Sequence, residues 1–133
     1  MRILVVDDHP MVLAGCKQIF SESKGFKEVI GAFDADGGLR AYLEHRPDVA
    51  IIDFSLPGTT GAELTREILR HDPEARIVIF SMNDGDWYVS RALGAGAKGF
   101  VSKNDDPLKL LSAVQHVKDG GLFPAIRVVS PDG

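Results

Sequence analysis

Five short runs of mainly β-branched apolar residues limit the folds open to this chain more than any other feature. They cover residues 3–6, 29–30, 49–52, 77–80 and 99–101. In most of them the apolar residues follow one another without the polar alternation of a half-exposed strand. Continuous apolar strands are typical of parallel sheets that are buried on both faces. The runs therefore predict a parallel sheet.

The stretches between these runs carry apolar residues at the spacing of amphipathic helices. We expect the last helix to begin at Asp106-Pro107, with proline at the first helical position, and to end at Gly120-Gly121. Strand and helix alternate five times, at about 25 residues a unit, which predicts an α/β fold with right-handed crossovers and helices on both faces. The stripes are Val12, Cys16, Ile19 and Phe20; Ala35, Leu39 and Leu43; Gly61, Leu64 and Ile68; and Leu110, Leu111, Val114 and Val117.

Size and charge narrow the class of protein further. The 133 residues correspond to one domain, and a formal charge of -4 offers no basic footprint for nucleic acid or an anionic membrane. Cys16 is the only cysteine, so no intrachain disulfide is possible and a reducing, cytoplasmic location is favoured. The sequence contains neither a membrane span of roughly 20 apolar residues nor a signal peptide. Residues 122–133 hold two prolines and no helical stripe, which is typical of a tail or linker.

Reactive side chains directly follow four of the five predicted strands. In a parallel sheet the carboxyl ends of the strands lie at one edge, where such folds place their functional sites. The second run ends at Gly31-Ala32-Phe33 instead, so we expect it to be an edge strand. The residues that would meet at the other tips are Asp7, Asp8, Asp53, Ser81 and Lys103.

Each of these residues alone has an ordinary structural explanation, as a helix cap, a turn residue or a solvated lysine. Their coincidence at the strand tips favours a site instead. Three carboxylates within a few Å repel one another by several kcal/mol at an effective dielectric constant of about 20. A Mg²⁺ ion would offset this repulsion, and the lysine and hydroxyl would contact phosphate oxygens. The pattern predicts a pocket that receives a phosphoryl group on a carboxylate.

Over residues 1–121 the sequence resembles the receiver domains of two-component response regulators. The matching residues are those at the strand tips, in the family's order and spacing, together with Pro57-Gly58 after the third strand. The phrases at residues 6–10, 92–100 and 103–107 are similar to the NarL/FixJ (LuxR-type) subfamily. The resemblance implies a flavodoxin-like, doubly wound (βα)5 sheet with strand order 2-1-3-4-5.

The resemblance also implies a role for each site residue. Asp53 would be the nucleophile that accepts phosphate from a sensor histidine kinase, and Lys103 would pair with the resulting acyl phosphate. Asp8 and Asp53 would ligate Mg²⁺ directly. The backbone carbonyl of Ser55 would be a further ligand, and Asp7 would act through a metal-bound water.

Two residues would carry the signal onward. The Ser81 hydroxyl would move onto the phosphate, and Phe100 would be the coupled aromatic switch, acting by packing because it replaces the family's frequent tyrosine. Asn104 follows the site lysine where many receivers have proline, so we expect no cis peptide bond there. Ser55 and Asn83 occupy positions that in the family tune the lifetime of the phosphate.

The subfamily implies a C-terminal helix-turn-helix domain beyond residues 122–133, with DNA contacted only through that domain. It also implies transcription regulation and a phosphorylation-dependent homodimer, in a signalling protein rather than a turnover enzyme. A stand-alone receiver that acts through protein contacts, or a degenerate one, are alternatives. An aspartate-based phosphohydrolase of the haloacid dehalogenase type would need a second aspartate where Ser55 stands. A flavin-binding module would need an anion-cradling loop in place of residues 7–10.

Two local features have two explanations each. His9 could ligate a metal or act as a base, but a histidine between two acids and Pro10 is expected to be a loop residue. Trp87 and Tyr88 form either a partner-binding patch or half-buried aromatic residues on the fourth helix.

Overall fold

The computed structural model describes residues 1–25 and 28–123. Five parallel strands form the central sheet, and two shorter strands pair with each other as an antiparallel hairpin outside it. The apolar runs did not predict this hairpin. The strands are β1 (Arg2–Val6), β2 (Glu28–Ala32), β3 (Val49–Asp53), β4 (Ser55–Leu56), β5 (Thr59–Thr60), β6 (Ile77–Ser81) and β7 (Gly99–Ser102), of which β4 and β5 form the hairpin.

The order of strands in the central sheet is β2-β1-β3-β6-β7. Counting only the strands of this sheet, the order is 2-1-3-4-5, which confirms the predicted doubly wound topology. β2 is an edge strand, as its unreactive tip indicated. The order reverses at β1 and β3, so the tips of these strands border the crevice where such sheets bind ligands.

Five helices cover the sheet: α1 (Pro10–Ser21), α2 (Ala35–His45), α3 (Gly61–His71), α4 (Asp86–Gly94) and α5 (Leu108–Lys118). The predicted start of the last helix was wrong by one residue, because Pro107 precedes α5 rather than opening it. The backbone N–H of Leu108 donates to the carboxylate of Asp106 at 2.9 Å, which satisfies one donor of the first turn.

The central strands explain why their apolar runs are continuous. In β3, Ala50 and Ile52 face the layer under α2, α3 and α4, whereas Val49 and Ile51 face the layer under α1 and α5. All four are fully buried. Both faces of the strand therefore need apolar side chains. Cys16 lies in the second layer, and burial raises the pKa of its thiol to about 12.

Helix α2 packs on the core through its predicted apolar stripe and two further residues of the same face. The stripe residues, such as Leu39, are partly buried against the core, and Gly38 and Tyr42 beside them are fully buried. A Cβ atom at Gly38 would lie 2.9 Å from a methyl group of Val6, so only glycine allows this close approach. The Tyr42 hydroxyl donates to Asp72 at 2.6 Å and ties α2 to the end of α3.

After α5 the chain returns to the outer edge of β7. The N–H of Phe123 donates to the carbonyl of Lys98 at 2.9 Å, and the carbonyl of Phe123 accepts from the N–H of Phe100 at 2.8 Å. The rest of the predicted tail, residues 124–133, lies outside the described residues. Within the part of the chain that the structure describes, no helix is long and apolar enough to cross a membrane.

Candidate functional site

The carboxyl edge of the central sheet collects the polar residues that follow its strands. Asp53 ends β3 and Ser81 ends β6, while Asp7 follows β1 and Lys103 follows β7. Asp7 and Lys103 are separated by 96 positions in the sequence, yet their side chains are hydrogen-bonded. Parallel strand order thus brings the predicted residues to one site.

Lys103 lies between two of the carboxylates. Its Nζ donates to Asp7 Oδ2 at 2.7 Å and lies 3.2 Å from Asp53 Oδ2. The side chains of Lys103, Asp7 and Asp53 are only 7%, 2% and 5% exposed, so water screens these charges poorly. The ammonium group also lies 5.5 Å from the centre of the Phe80 ring. Lys103 is therefore a fixed positive charge beside the predicted nucleophile.

The two adjacent aspartates differ in how their oxygens are used. Asp7 Oδ2 accepts from Lys103, while Asp7 Oδ1 accepts from the backbone N–H of His9 at 2.9 Å and contacts its ring nitrogen. Asp8 is partly exposed, at 39% of its side chain. Both oxygens of Asp7 thus already accept hydrogen bonds, whereas Asp8 is more open to solvent and has its Oδ1 3.2 Å from His9 Nδ1. That Asp8 binds a metal directly and Asp7 through water stays a prediction.

His9 contributes more to the site than sequence reasoning allowed. It does precede α1 as a loop residue, but its Nδ1 lies 2.8 Å from Asp7, 3.2 Å from Asp8 and 3.8 Å from Asp53. The hydrogen bond to Asp7 and the negative charges of Asp7 and Asp8 raise the pKa of His9. The imidazolium form of His9 therefore offsets part of the carboxylate charge.

Despite the nearby positive charges, the ionised form of Asp53 is less favourable than that of an ordinary aspartate. Burial and the negative charge of Asp7 raise the pKa of Asp53, although Lys103 and the N–H of Ser55 act in the opposite direction. Burial acts to lower the pKa of Lys103, but its hydrogen bond to Asp7 and the two carboxylate charges outweigh this and raise it. Binding of a further cation at the site would therefore be electrostatically favourable.

The donor set fits Mg²⁺. Ligand atoms of Asp7, Asp8, His9 and Asp53 all lie within 4.8 Å of one another. Carboxylate oxygens dominate this set, and Mg²⁺ prefers oxygen ligands supplemented by water. The backbone N–H of Ser55 donates to Asp53 Oδ1 at 3.2 Å. That the Ser55 carbonyl is a metal ligand stays a prediction.

The two predicted switch residues lie on neighbouring strands. Ser81 is buried at the end of β6, and its Oγ accepts from the N–H of Asn83 at 3.0 Å. Phe100 is a buried residue of β7, in the layer that also contains the partly buried Tyr88 and Val89 of α4. That Ser81 and Phe100 act as a switch stays a prediction.

An aromatic cluster next to the site was not predicted as such. Phe54, directly after Asp53, is buried with its ring 5.1 Å from that of Tyr88 and 6.1 Å from that of Trp87, centre to centre. Tyr88 is half-buried, whereas Trp87 is 55% exposed and has Arg91 4.8 Å above its ring. Tyr88 is thus a half-buried aromatic residue, and a partner-binding role for the exposed Trp87 stays a prediction.

Gly61 has a role at the site that the sequence does not predict, because the sequence places it only in the apolar stripe of a helix. A Cβ atom at this position would lie 2.2 Å from the backbone oxygen of Asp53, and the N–H of Gly61 donates to the Phe54 carbonyl at 2.6 Å. Glycine therefore lets α3 begin against the end of β3 and fixes the backbone that carries the site.

Comparison with known proteins gives a consistent picture. A family model described as the response regulator receiver domain matches residues 3–115. The oxygen regulatory protein NreC of Staphylococcus epidermidis is 34% identical over 131 residues, which are 98% of this chain and 60% of NreC. The chain spans 52% to 60% of the length of the first curated relatives that it matches.

Solved structures agree in fold as well as in sequence. A LuxR-family two-component response regulator from an Aurantimonas species matches with a TM-score of 0.88 and 40% identity, over 98% of this chain and 90% of that one. The receiver domain of the putative response regulator NarL from Mycobacterium tuberculosis matches with a TM-score of 0.84 and 31% identity, over 90% and 96% of the two chains.

Proposed function

Because the chain belongs to the response regulator receiver domain family of two-component systems, in its NarL/FixJ subfamily, we propose that a sensor histidine kinase phosphorylates it on Asp53. The observation that carries this proposal is the position of Lys103, whose Nζ lies 2.7 Å from Asp7 and 3.2 Å from Asp53 in a buried site. A fixed ammonium group beside a carboxylate stabilises the negative charge that a phosphoryl group brings to it.

In the proposed reaction, a carboxylate oxygen of Asp53 attacks the phosphorus of the kinase's phosphohistidine. The new O–P bond forms as the N–P bond breaks, and the histidine nitrogen keeps the electron pair of the broken bond. Lys103 compensates the added negative charge, and the Ser55 N–H holds the Asp53 side chain in place. Receiver domains are signalling modules, so the acyl phosphate is the signal rather than an intermediate of turnover.

Metal binding completes the proposal. Asp8 and Asp53 would hold Mg²⁺ directly with the Ser55 carbonyl, while Asp7, whose oxygens are already hydrogen-bonded, would act through water. When bound, Mg²⁺ neutralises the carboxylate repulsion and draws negative charge from the phosphoryl oxygens. The partial exposure of Asp8 supports this assignment, because an ion from solvent reaches its oxygens.

The output is proposed from the relatives. Ser81 donates its hydroxyl to the phosphoryl group, Phe100 repacks, and the surface of α4, β7 and α5 changes. The resemblance to the NarL/FixJ subfamily implies a phosphorylation-dependent homodimer and a DNA-binding domain after residues 122–133, so the proposed process is transcription regulation in the cytoplasm. A stand-alone receiver that acts through protein contacts is the alternative output.

Intact-mass analysis after incubation with acetyl phosphate and Mg²⁺ tests the phosphoacceptor. We expect wild type to gain one phosphoryl group, Asp53→Asn to gain none, and the matched control Asp36→Asn, an exposed residue of α2, to behave as wild type. Omission of Mg²⁺ should reduce the gain strongly. Labelling of Asp53→Asn would contradict the assignment, and steady release of inorganic phosphate from small phosphate esters would indicate a phosphohydrolase instead.

A further inference from the structure

Hydrogen bonds outside the proposed phosphorylation site join the ends of β6 and β7. Ser81 and Ser102 are opposite each other in the β6–β7 ladder. The backbone N–H of Lys103 donates to the carbonyl of Ser81 at 2.7 Å, directly beyond this pair. The two loops that continue from these strands then contact each other through side chains.

Ser102 makes the first of these contacts. Its side chain is buried, and its hydroxyl donates to the carboxylate of Asp84 at 2.9 Å. The same oxygen accepts from the N–H of Asn104 at 3.1 Å. A buried hydroxyl with both a donor and an acceptor role is held in one orientation. Ser102 thus ties the loop after β6 to the strand that carries Lys103.

Asn104 makes the second contact, since its side-chain amide donates to the backbone carbonyl of Met82 at 3.0 Å. A proline at this position would have neither a side-chain amide nor a backbone N–H to donate to Ser102. Asn104 therefore supplies two bonds that depend on its departure from proline. We call the Ser102–Asp84 and Asn104–Met82 bonds the β6–β7 brace.

The brace holds the loop that directly follows Ser81. Residues 82–84 follow Ser81 directly, and the N–H of Asn83 donates to the Ser81 hydroxyl oxygen. Met82 and Asp84, on either side of Asn83, are the two residues that the brace holds. In the described residues, Ser81 thus has its hydroxyl engaged with a loop that is itself fixed to the tip of β7.

We propose that Ser102 and Asn104 are positioning residues that hold Ser81 in its unphosphorylated place and oppose its movement onto the phosphoryl group. The proposal rests on the proposed function of Asp53 as phosphoacceptor. A bond present before phosphorylation and lost after it favours the unphosphorylated state by its full strength. Removal of a brace bond therefore shifts the domain toward the phosphorylated arrangement.

The test uses beryllium fluoride with Mg²⁺, which mimics the phosphoryl group, titrated into the whole chain by calorimetry. We expect Ser102→Ala and Asn104→Ala each to bind it about fivefold more tightly than wild type, which is the ratio for one ordinary hydrogen bond. Ser102→Thr, which keeps the hydroxyl, should restore wild-type affinity. Ser112→Ala, an exposed serine of α5, is the matched control and should change nothing.

Mg²⁺ affinity without beryllium fluoride should stay unchanged in all of these variants, because the brace contacts no metal ligand. Unchanged or weaker beryllium fluoride binding by both alanine variants would overturn the proposal, since a merely structural role predicts no gain of affinity. If Ser102→Ala does not fold, Asn104→Ala decides the question. If wild type itself does not bind beryllium fluoride, Asp53 is not the phosphoacceptor, and the proposed function fails together with the brace.

Discussion

The two ends of the central sheet differ in how deeply their charged groups are buried. At the amino end, charged groups are exposed: the Asp48 carboxylate accepts from the N–H of Arg2 at 2.7 Å in contact with solvent. At the carboxyl end, Asp7, Asp53 and Lys103 are each more than nine-tenths buried. Burial of charge costs stability unless it is well paired, so we expect substitutions of charged residues at the carboxyl end to change stability more than those at the amino end. Changes in the free energy of unfolding on substitution at the two ends measure that difference.

The largest effect is expected from Lys103→Met, which keeps an unbranched side chain one atom shorter but leaves two buried carboxylates without their ammonium group. We expect a loss of about 3 kcal/mol in the free energy of unfolding at neutral pH without Mg²⁺, measured by urea denaturation. The control is Lys109→Met, because Lys109 is 55% exposed and pairs with Asp105 at 3.5 Å. That pair should contribute less than about 1 kcal/mol. Equal losses in the two variants would mean that burial does not distinguish the two lysines.

A smaller loss is expected from Gly61→Ala. The new methyl group would lie 2.2 Å from the Asp53 backbone oxygen, so either α3 or the end of β3 must shift. We expect a destabilisation of about 2 kcal/mol by urea denaturation, together with slower phosphorylation of Asp53 by acetyl phosphate. Gly15→Ala in α1 is the control with the opposite sign. No atom lies within 4 Å of a Cβ at Gly15, so alanine should stabilise that helix by about 1 kcal/mol.

The smallest effect is a gain of stability in Asp53→Asn without Mg²⁺, of about 1 kcal/mol at neutral pH. The raised pKa of Asp53 means that the folded chain binds this proton more readily than the unfolded chain. Ionisation of Asp53 therefore destabilises the fold as pH rises from the usual aspartate range through the raised pKa. Melting temperatures should show the gain at pH 7 and its disappearance at pH 3. Asp48→Asn, at the opposite end, should stay within about 0.5 kcal/mol of wild type at neutral pH. A gain that is constant with pH would rule out this electrostatic origin.

Much of the fold could be predicted because periodicity and burial are local properties. The continuous runs identified every strand of the central sheet and the residues at their tips. The β4–β5 hairpin was missed because strands of two residues carry no periodic signal. The stripe of α2 was predicted on the correct face, since Leu39 and Leu43 pack against the core, but the most buried residues of that face, Gly38 and Tyr42, were missed. Gly38 gives no apolar signal in the sequence, although its lack of a side chain leaves the space that Val6 occupies.

The sequence by itself determined that Asp7, Asp53, Ser81 and Lys103 lie at the carboxyl ends of strands, and parallel pairing then requires them to share one edge. Only the tertiary structure decided which of them are partners. It placed Lys103 on Asp7 and Asp53, brought His9 against the carboxylates, and joined Ser102 and Asn104 to the loop beyond Ser81. The physical reason is the distance along the chain over which each feature is determined. Apolar periodicity is set by neighbouring residues, whereas a hydrogen bond needs atoms within about 3 Å, a distance that strand order and side-chain rotamers determine together.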